Sequence, residues 1–166
     1  GGNITFNAGG TGNINIDHAL TLTAQNGGEI SFAADGGNVN ITNNFNLTTD
    51  NFNLTGTLNV TGTGTFTYSQ GTAGNSLGVG TGGSPNISLS DALIADVKTA
   101  FSNYSFGRLD GGAITNYTTT WEDPVTFLSG GNFTNAVAAT SDDTVLVRAG
   151  GDVILDADMA TTSATG

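Results

Sequence analysis

Between Val39 and Tyr68 the chain repeats one short motif, a large apolar residue alternating with Asn or Thr. It reads Val39-Asn40-Ile41-Thr42, Phe45-Asn46-Leu47-Thr48, Phe52-Asn53-Leu54-Thr55, Leu58-Asn59-Val60-Thr61 and Thr65-Phe66-Thr67-Tyr68. In a strand successive side chains point to opposite faces, so each segment predicts a ribbon with one apolar and one polar side. An antiparallel meander would call for Asn-Gly or Asp-Gly hairpin turns. The junctions are instead Asn43-Asn44, Thr49-Asp50-Asn51, Gly56-Thr57 and Gly62-Thr63-Gly64. The pattern therefore predicts a β-solenoid, in which the chain turns a corner after each strand and stacks each coil on the last.

The same alternation opens the chain at Asn3-Ile4-Thr5-Phe6 and returns in Asn13-Ile14-Asn15-Ile16, Leu20-Thr21-Leu22-Thr23 and Glu29-Ile30-Ser31-Phe32. Gly9-Gly10, Gly27-Gly28 and Gly36-Gly37 supply corners between them. Three strands with their corners take roughly 20 residues, so some eight coils would form a rod on the order of 40 Å long. The final strands fall at Val125-Thr126-Phe127, Thr144-Val145-Leu146-Val147-Arg148 and Asp152-Val153-Ile154-Leu155, with corners at Gly130-Gly131 and Gly150-Gly151.

The alternation breaks between Gln70 and Pro85, where glycine is dense. No Gly-Lys-Ser/Thr follows, so this run is an irregular coil with a loop and not a phosphate cradle. Ile87-Ser88-Leu89 resumes a strand. Ser88 and Ser90 then offer helix caps, and Leu93, Ile94, Val97 and Phe101 share one face at helical spacing, predicting an amphipathic helix over 91–101 that lies on the solenoid as a lid or side insertion. Tyr104 to Arg108 is again a strand, Asp110-Gly111-Gly112 a turn into Ala113-Ile114-Thr115, and Tyr117 to Pro124 a larger loop. The whole chain, 1–166, reads as a single solenoid module.

Composition sharpens the picture. Charged residues are 10 % of the chain and glycines number 26, so Asn, Thr and Ser supply most of the polarity, and stacked Asn side chains can bond from coil to coil. The net charge is -11 with 3 Lys and Arg, which excludes nucleic acid as a partner and disfavours an anionic membrane surface. No apolar run approaches a bilayer span, so membrane insertion is not expected. The absence of cysteine agrees with an extracytoplasmic protein that uses no disulfides. Gly1-Gly2-Asn3 is not a signal peptide, so an export signal would lie outside these residues.

Candidate chemistry is sparse. His18, the sole histidine, sits beside Asp17 at a corner and is read as solvated, since a metal site needs three or four donors. Trp121 is a packing residue in preference to a sugar platform. Acidic pairs occur at Glu122-Asp123, at Asp142-Asp143 and at Asp156/Asp158. Adjacent corner carboxylates do not straddle a cleft as general acid and base must, and one His supports no nucleophilic triad, so no catalytic residue is assigned. Calcium is the metal such hard ligands suit, with Asp142, Asp143, Asp156 and Asp158 as candidates, although the Gly-Gly-x-Gly-x-Asp repeat of calcium-binding solenoids is missing. No other cofactor is expected. Asn-x-Ser/Thr sequons from Asn3 to Asn132 follow from the alternation itself.

Gly78-Val79-Gly80, Ile87-Ser88-Leu89-Ser90-Asp91-Ala92-Leu93, Phe101, and Phe106-Gly107-Arg108-Leu109-Asp110-Gly111-Gly112-Ala113-Ile114 together resemble a segment of filamentous-haemagglutinin-like exoproteins of the two-partner secretion type. That family places a Gly-Val-Gly stretch before a Leu-x-Leu-Ser helix start and an Ile-Gly-Arg-x-Asp-Gly strand and turn; here Phe106 stands where Ile is usual and Gly111-Gly112 where Gly-Thr-Gly is common. The resemblance implies a right-handed parallel β-helix, secreted to the outer surface of a Gram-negative-type cell. The expected function is then a structural and adhesive segment of a surface or filament protein. Its coils would stack end to end with further copies, or as tandem copies in one chain, and its partners would be surface glycans or host and cell-surface receptors. The alternatives are a polysaccharide-active β-helix enzyme, a carbohydrate-binding module, and ice binding by rows such as Thr63, Thr65 and Thr67, whose neighbours Phe66 and Tyr68 indicate that they simply face solvent.

Overall fold

The computed structural model describes residues 2–60 and 64–162, so Thr61 of an expected strand and Thr63 of the junction and the threonine row lie outside it. The strands are β1 (Ile4–Ala8), β2 (Ile14–Ile16), β3 (Leu20–Ile41), β4 (Phe45–Val60), β5 (Thr65–Ser69), β6 (Leu77–Val79) and β7 (Ile87–Leu89). After the helix α1 (Asp91–Ala100) come β8 (Asn103–Arg108), β9 (Ile114–Asn116), β10 (Thr120–Trp121), β11 (Val125–Ser129) and β12 (Phe133–Asn135). β13 (Ala139–Ser141), β14 (Val145–Ala149), β15 (Val153–Leu155) and β16 (Met159–Thr161) complete the chain. Every pairing among them is parallel, and the coils make a β-solenoid of about 7 turns with three faces.

On the first face the ladder is unbroken: Leu20 pairs with Phe45, then Phe66, Tyr104, Val125 and Val145 follow one above another. The second face has a lower part, Ile4–Ile30–Phe52, and an upper part, Ile87–Leu77–Ile114–Phe133–Val153. The third has Ile14–Val39–Leu58 below and Trp121–Ser141–Thr161 above. Two upper faces thus lack the partner that would join them to the lower coils. The estimate of eight coils was high because residues 80–102 build no coil of their own.

Details of the corners depart from the sequence reading. Thr49-Asp50-Asn51 and Gly56-Thr57 do not end a strand: β4 runs through both, and β3 likewise runs through two corners, with register shifts at 24–29 and 33–38. Tyr117 to Pro124 is not one loop, since Thr120 and Trp121 form β10. In the lower coils Gly10, Gly27 and Gly36 adopt φ of 64°, 77° and 82°, the left-handed region that favours glycine. Other corner glycines are fixed by crowding. Gly111, Gly130 and Gly150 stack, and a Cβ on Gly130 would lie 2.1 Å from the Gly111 carbonyl oxygen, so it is close approach that requires glycine there.

The core is a column of aromatic rings. Phe6 stacks on Phe32 at 4.8 Å between centroids, and contacts pass through Phe45, Phe66, Phe106, Phe127 and Phe133 in turn. Alternation puts each ring inward and its Thr or Asn neighbours outward, as the pattern predicted. On the outer surface Asn40 donates to Asn15 Oδ1 at 2.6 Å and Asn59 to Asn40 Oδ1 at 3.1 Å, a coil-to-coil amide ladder of the expected kind.

A second amide ladder is internal. Asn116 donates to Asn135 Oδ1 at 2.8 Å and to the Thr118 carbonyl at 3.0 Å, while Asn135 donates to the carbonyls of Val137, Ala157 and Asp158 at 2.8 to 3.1 Å. Both residues are fully buried, and their amides satisfy corner carbonyls that would otherwise face the core. Asn135→Ala should therefore cost about 1–3 kcal/mol, more than a surface amide, and Asn15→Ala well under about 1 kcal/mol. Urea unfolding followed by circular dichroism checks both.

Candidate functional site

The break between lower and upper coils is where the surface becomes concave. The helix is capped as predicted: Ser90 Oγ accepts from the Leu93 amide at 3.2 Å, Asp91 lies in the first turn and Lys98 in the last, both favourable to the helix dipole. Ile94, Val97 and Ala100 face inward. Phe101, which ends the helix, packs its ring 5.5 Å from Phe66 and 6.4 Å from Phe45. The helix is thus a plug, standing between Leu58 and Trp121 where a third-face strand would otherwise lie.

Strand β7 sits on the edge of β6 that faces the lower coils, and its far edge meets β4 without a ladder between them. The resulting slit forms two adjoining clefts. One, of about 290 Å³, is lined by residues that include Glu29, Asp50, Asn51, Asn86 and Ile87. The other, of about 230 Å³, is lined by Leu54, Ser90, Ala92, Leu93 and Asp96. Phe52, Asn53 and Ser88 belong to both and mark the middle. Phe52, Leu54 and Leu93 are only half-buried there, because no ladder covers them. On the other side of α1 a cleft of about 240 Å³ runs past Asp91, Lys98, Tyr117 and Thr119.

Ionisable groups around the break are largely engaged in structure. Burial alone would raise the pKa of Asp50, but the hydroxyl and amide of Thr72, with help from Asn75 and Gly71, outweigh it and hold the carboxyl below its ordinary value. Tyr68 donates to the Thr49 carbonyl at 2.7 Å, and its burial, with the charge of Asp50, pushes the phenol well above its usual range. Tyr104 lies 2.9 Å from the Lys98 carbonyl and 3.1 Å from Asp123 Oδ2, and is raised in the same way by burial and then by Asp123. Arg108 hydrogen-bonds the carboxylate of Asp110, which lowers that exposed acid.

The residues singled out in the sequence are dispersed. Asp142 and Asp143 occupy the corner before β14, where Asp142 Oδ1 accepts from Thr162 Oγ1 at 2.6 Å and Asp143 Oδ1 accepts from the Thr144 amide at 2.6 Å. Asp156 and Asp158 lie at a different corner, between β15 and β16. Among the described residues no three His, Cys, Asp or Glu side chains converge as a metal would require. His18 is exposed at the corner before β3. Trp121 is fully buried against Tyr104, Phe106 and Phe127, with the Lys98 ammonium 5.9 Å above its ring, so it offers no platform to a ligand. The slit itself was not legible in the sequence. Its one signal was a strand, Ile87-Ser88-Leu89, squeezed between a glycine-rich run and a helix.

No family model matches the chain, and no curated protein or solved structure does so either.

Because the folded-state pKa of Asp50 is lowered, its contribution to stability is present above the ordinary carboxylate pKa and is lost as pH falls through the lower, folded value. Wild type should lose stability on acidification below about pH 4, with a shallower dependence in Asp50→Asn. At neutral pH that variant should be less stable by about 1 kcal/mol. Urea midpoints measured from pH 7 to pH 3 test both statements.

Proposed function

We propose that this protein is a structural and adhesive segment of an extracellular cell-surface or filament protein, of filamentous-haemagglutinin-like type, whose solenoid ends stack on further coils. The observation that carries this reading is the solenoid itself, in which a rung is covered only by the rung stacked on it. In the interior rungs the core-facing residues Phe127 and Phe133 are fully buried. At the last described rung Val153 and Leu155, in the register positions of Phe133 and Asn135, are 54 % and 59 % exposed. At the first rung Ile4, Phe6, Ile14 and Ile16 are likewise only half-buried. The reading accordingly places further parallel coils, of the same chain or of another copy, against the first and last described rungs.

Charge supports one polarity. The last rungs carry Asp142, Asp143, Asp152, Asp156 and Asp158 against Arg148, whereas the first coil carries Asp17 and His18. Two upper ends repel each other more strongly than an upper end repels a lower end. Head-to-tail contact is heterologous, and such contacts propagate into filaments. The segment Gly78 to Ile114, on which the family resemblance rests, corresponds to β6, β7, α1, β8 and the start of β9, the part of the fold that departs from plain coils.

The wild-type chain should form elongated assemblies that grow with concentration, and Val153→Lys/Leu155→Lys should reduce them to monomers with an unchanged circular dichroism spectrum. Light scattering and negative-stain microscopy read this out. A wild type that stays monomeric up to about 1 mM, the weakest affinity worth calling association, would remove end-to-end stacking between copies.

A further inference from the structure

We infer that Asn26 is a site of spontaneous covalent modification, at which the side-chain amide is lost and the main chain is rerouted through an isoaspartyl linkage. The inference is independent of the adhesive reading and goes beyond it.

Sequence supplies the first observation. Asn is frequent in this chain, but most of these residues are followed by Ile, Val, Leu, Phe or Tyr, whose bulk covers the next main-chain nitrogen. Asn26 alone is followed by glycine. With no Cβ, Gly27 leaves its nitrogen open and its dihedrals free.

The corner supplies the second. Asn26, with a φ of 55°, is the one non-glycine residue in the left-handed region among the described residues, and Gly27 follows at 77°. Asn visits that region because its side chain can bond locally, yet the exposed Asn26 amide has no hydrogen-bond partner among the described residues. Residues 25–28 fall in the register break of β3, without partners in the ladders of β1 or β4. A Cβ built on Gly27 would meet nothing within 4 Å, so the bend has room for a five-membered ring. Amides elsewhere are held. Asn46, Asn116 and Asn135 donate to their neighbours, and the nitrogen that follows Asn75, that of Ser76, donates to Asn86 Oδ1 at 2.9 Å.

The reaction needs only water. The Gly27 nitrogen gives up its proton to solvent and attacks Asn26 Cγ; the Cγ–Nδ2 bond breaks, the amide nitrogen takes up a proton and leaves as ammonia, and a succinimide closes. Water then opens the ring. Attack at Cγ yields aspartate, whereas attack at the main-chain carbonyl breaks its bond to the Gly27 nitrogen and leaves the chain running through Cγ as isoaspartate. The second product adds an atom to the main chain at a corner that is tight on its far side. There a Cβ on Gly28 would collide with the Gly2 carbonyl oxygen, the Gly28 carbonyl accepts from the buried Thr49 Oγ1 at 2.8 Å, and the Glu29 amide donates to Asn3 Oδ1 at 3.0 Å. A lengthened chain displaces this seat, and the loosening falls on the lower ladder of the second face, Ile4–Ile30–Phe52.

The test is incubation of the folded protein in mildly alkaline buffer for several weeks, with isoaspartate detected by an isoaspartate-specific carboxyl methyltransferase and located by peptide mass spectrometry. Isoaspartate should accumulate at residue 26 before any other position, at a rate within about tenfold of that in the free peptide 22–30. Asn26→Gly keeps the left-handed bend and removes the amide, so it should stay unmodified there. Amide hydrogen exchange over 4–8 and 28–34 should quicken in the aged wild type, but not in aged Asn26→Gly or in freshly prepared Asn26→Asp, which carries the charge without the added atom. The proposal falls if Asn26 stays intact while the free peptide is converted, if Asn75 or another Asn reacts first, or if the purified isoaspartyl form exchanges no faster than the fresh protein.

Discussion

The hydrogen-bond ladder between successive parallel rungs is the constraint on which this molecule depends. A rung of two to six residues per face is too short to be stable alone and lends its backbone groups to the rungs above and below. Side chains then answer to position in the ladder. Those pointing inward must fill a narrow column whose rings meet at 4.8 to 6.4 Å, and those pointing outward may be Asn or Thr provided that they reach their counterpart on the next rung. Where an inward position turns polar, as at Asn116 and Asn135, it does so to serve the carbonyls of a corner. Charge has little part in any of this, and an acidic chain with few cations folds without ion-pair networks; among the described residues the Arg108–Asp110 pair is local to one corner.

The middle of the molecule shows what happens when the ladder is interrupted. β7 adds a strand to the second face beneath β6, and α1 takes the place of a strand on the third, so only the first face carries a continuous ladder from the lower to the upper coils. Apolar packing substitutes for hydrogen bonds at the helix, where Phe101 is wedged against Phe45 and Phe66. No such substitution occurs along β7, and Phe52 and Leu54 keep part of their surface in the open. The concavity of the molecule is thus a by-product of how the insertion is accommodated.

Much of the architecture is legible in the sequence because the side-chain period of a strand is 2 and the apolar residues of 39–68 keep that period within each segment. The helix is legible for a similar reason, as Ser90 and the spacing of Leu93, Ile94, Val97 and Phe101 agree. What escapes are strands written in small or polar letters. β12, β13 and β16 read Phe-Thr-Asn, Ala-Thr-Ser and Met-Ala-Thr, and only stacking on the preceding rung makes them strands. The corners at Thr49-Asp50-Asn51 and Gly56-Thr57 are misread as ends because the ladder resumes on the far side of each bend after a shift of register, which depends on the neighbouring coil. The slit is harder still, since it follows from the partner that β7 does not have.

A ladder whose bonds run along the rod axis has a mechanical consequence. Traction on the two ends loads those bonds in tension, one rung interface after another, and not in shear across many at once. Each ordinary interface resists with all three faces, but the interface at the insertion holds by the first face and the seating of Phe101. Under force the rod should part there first, leaving two shorter solenoids whose own coils are still intact.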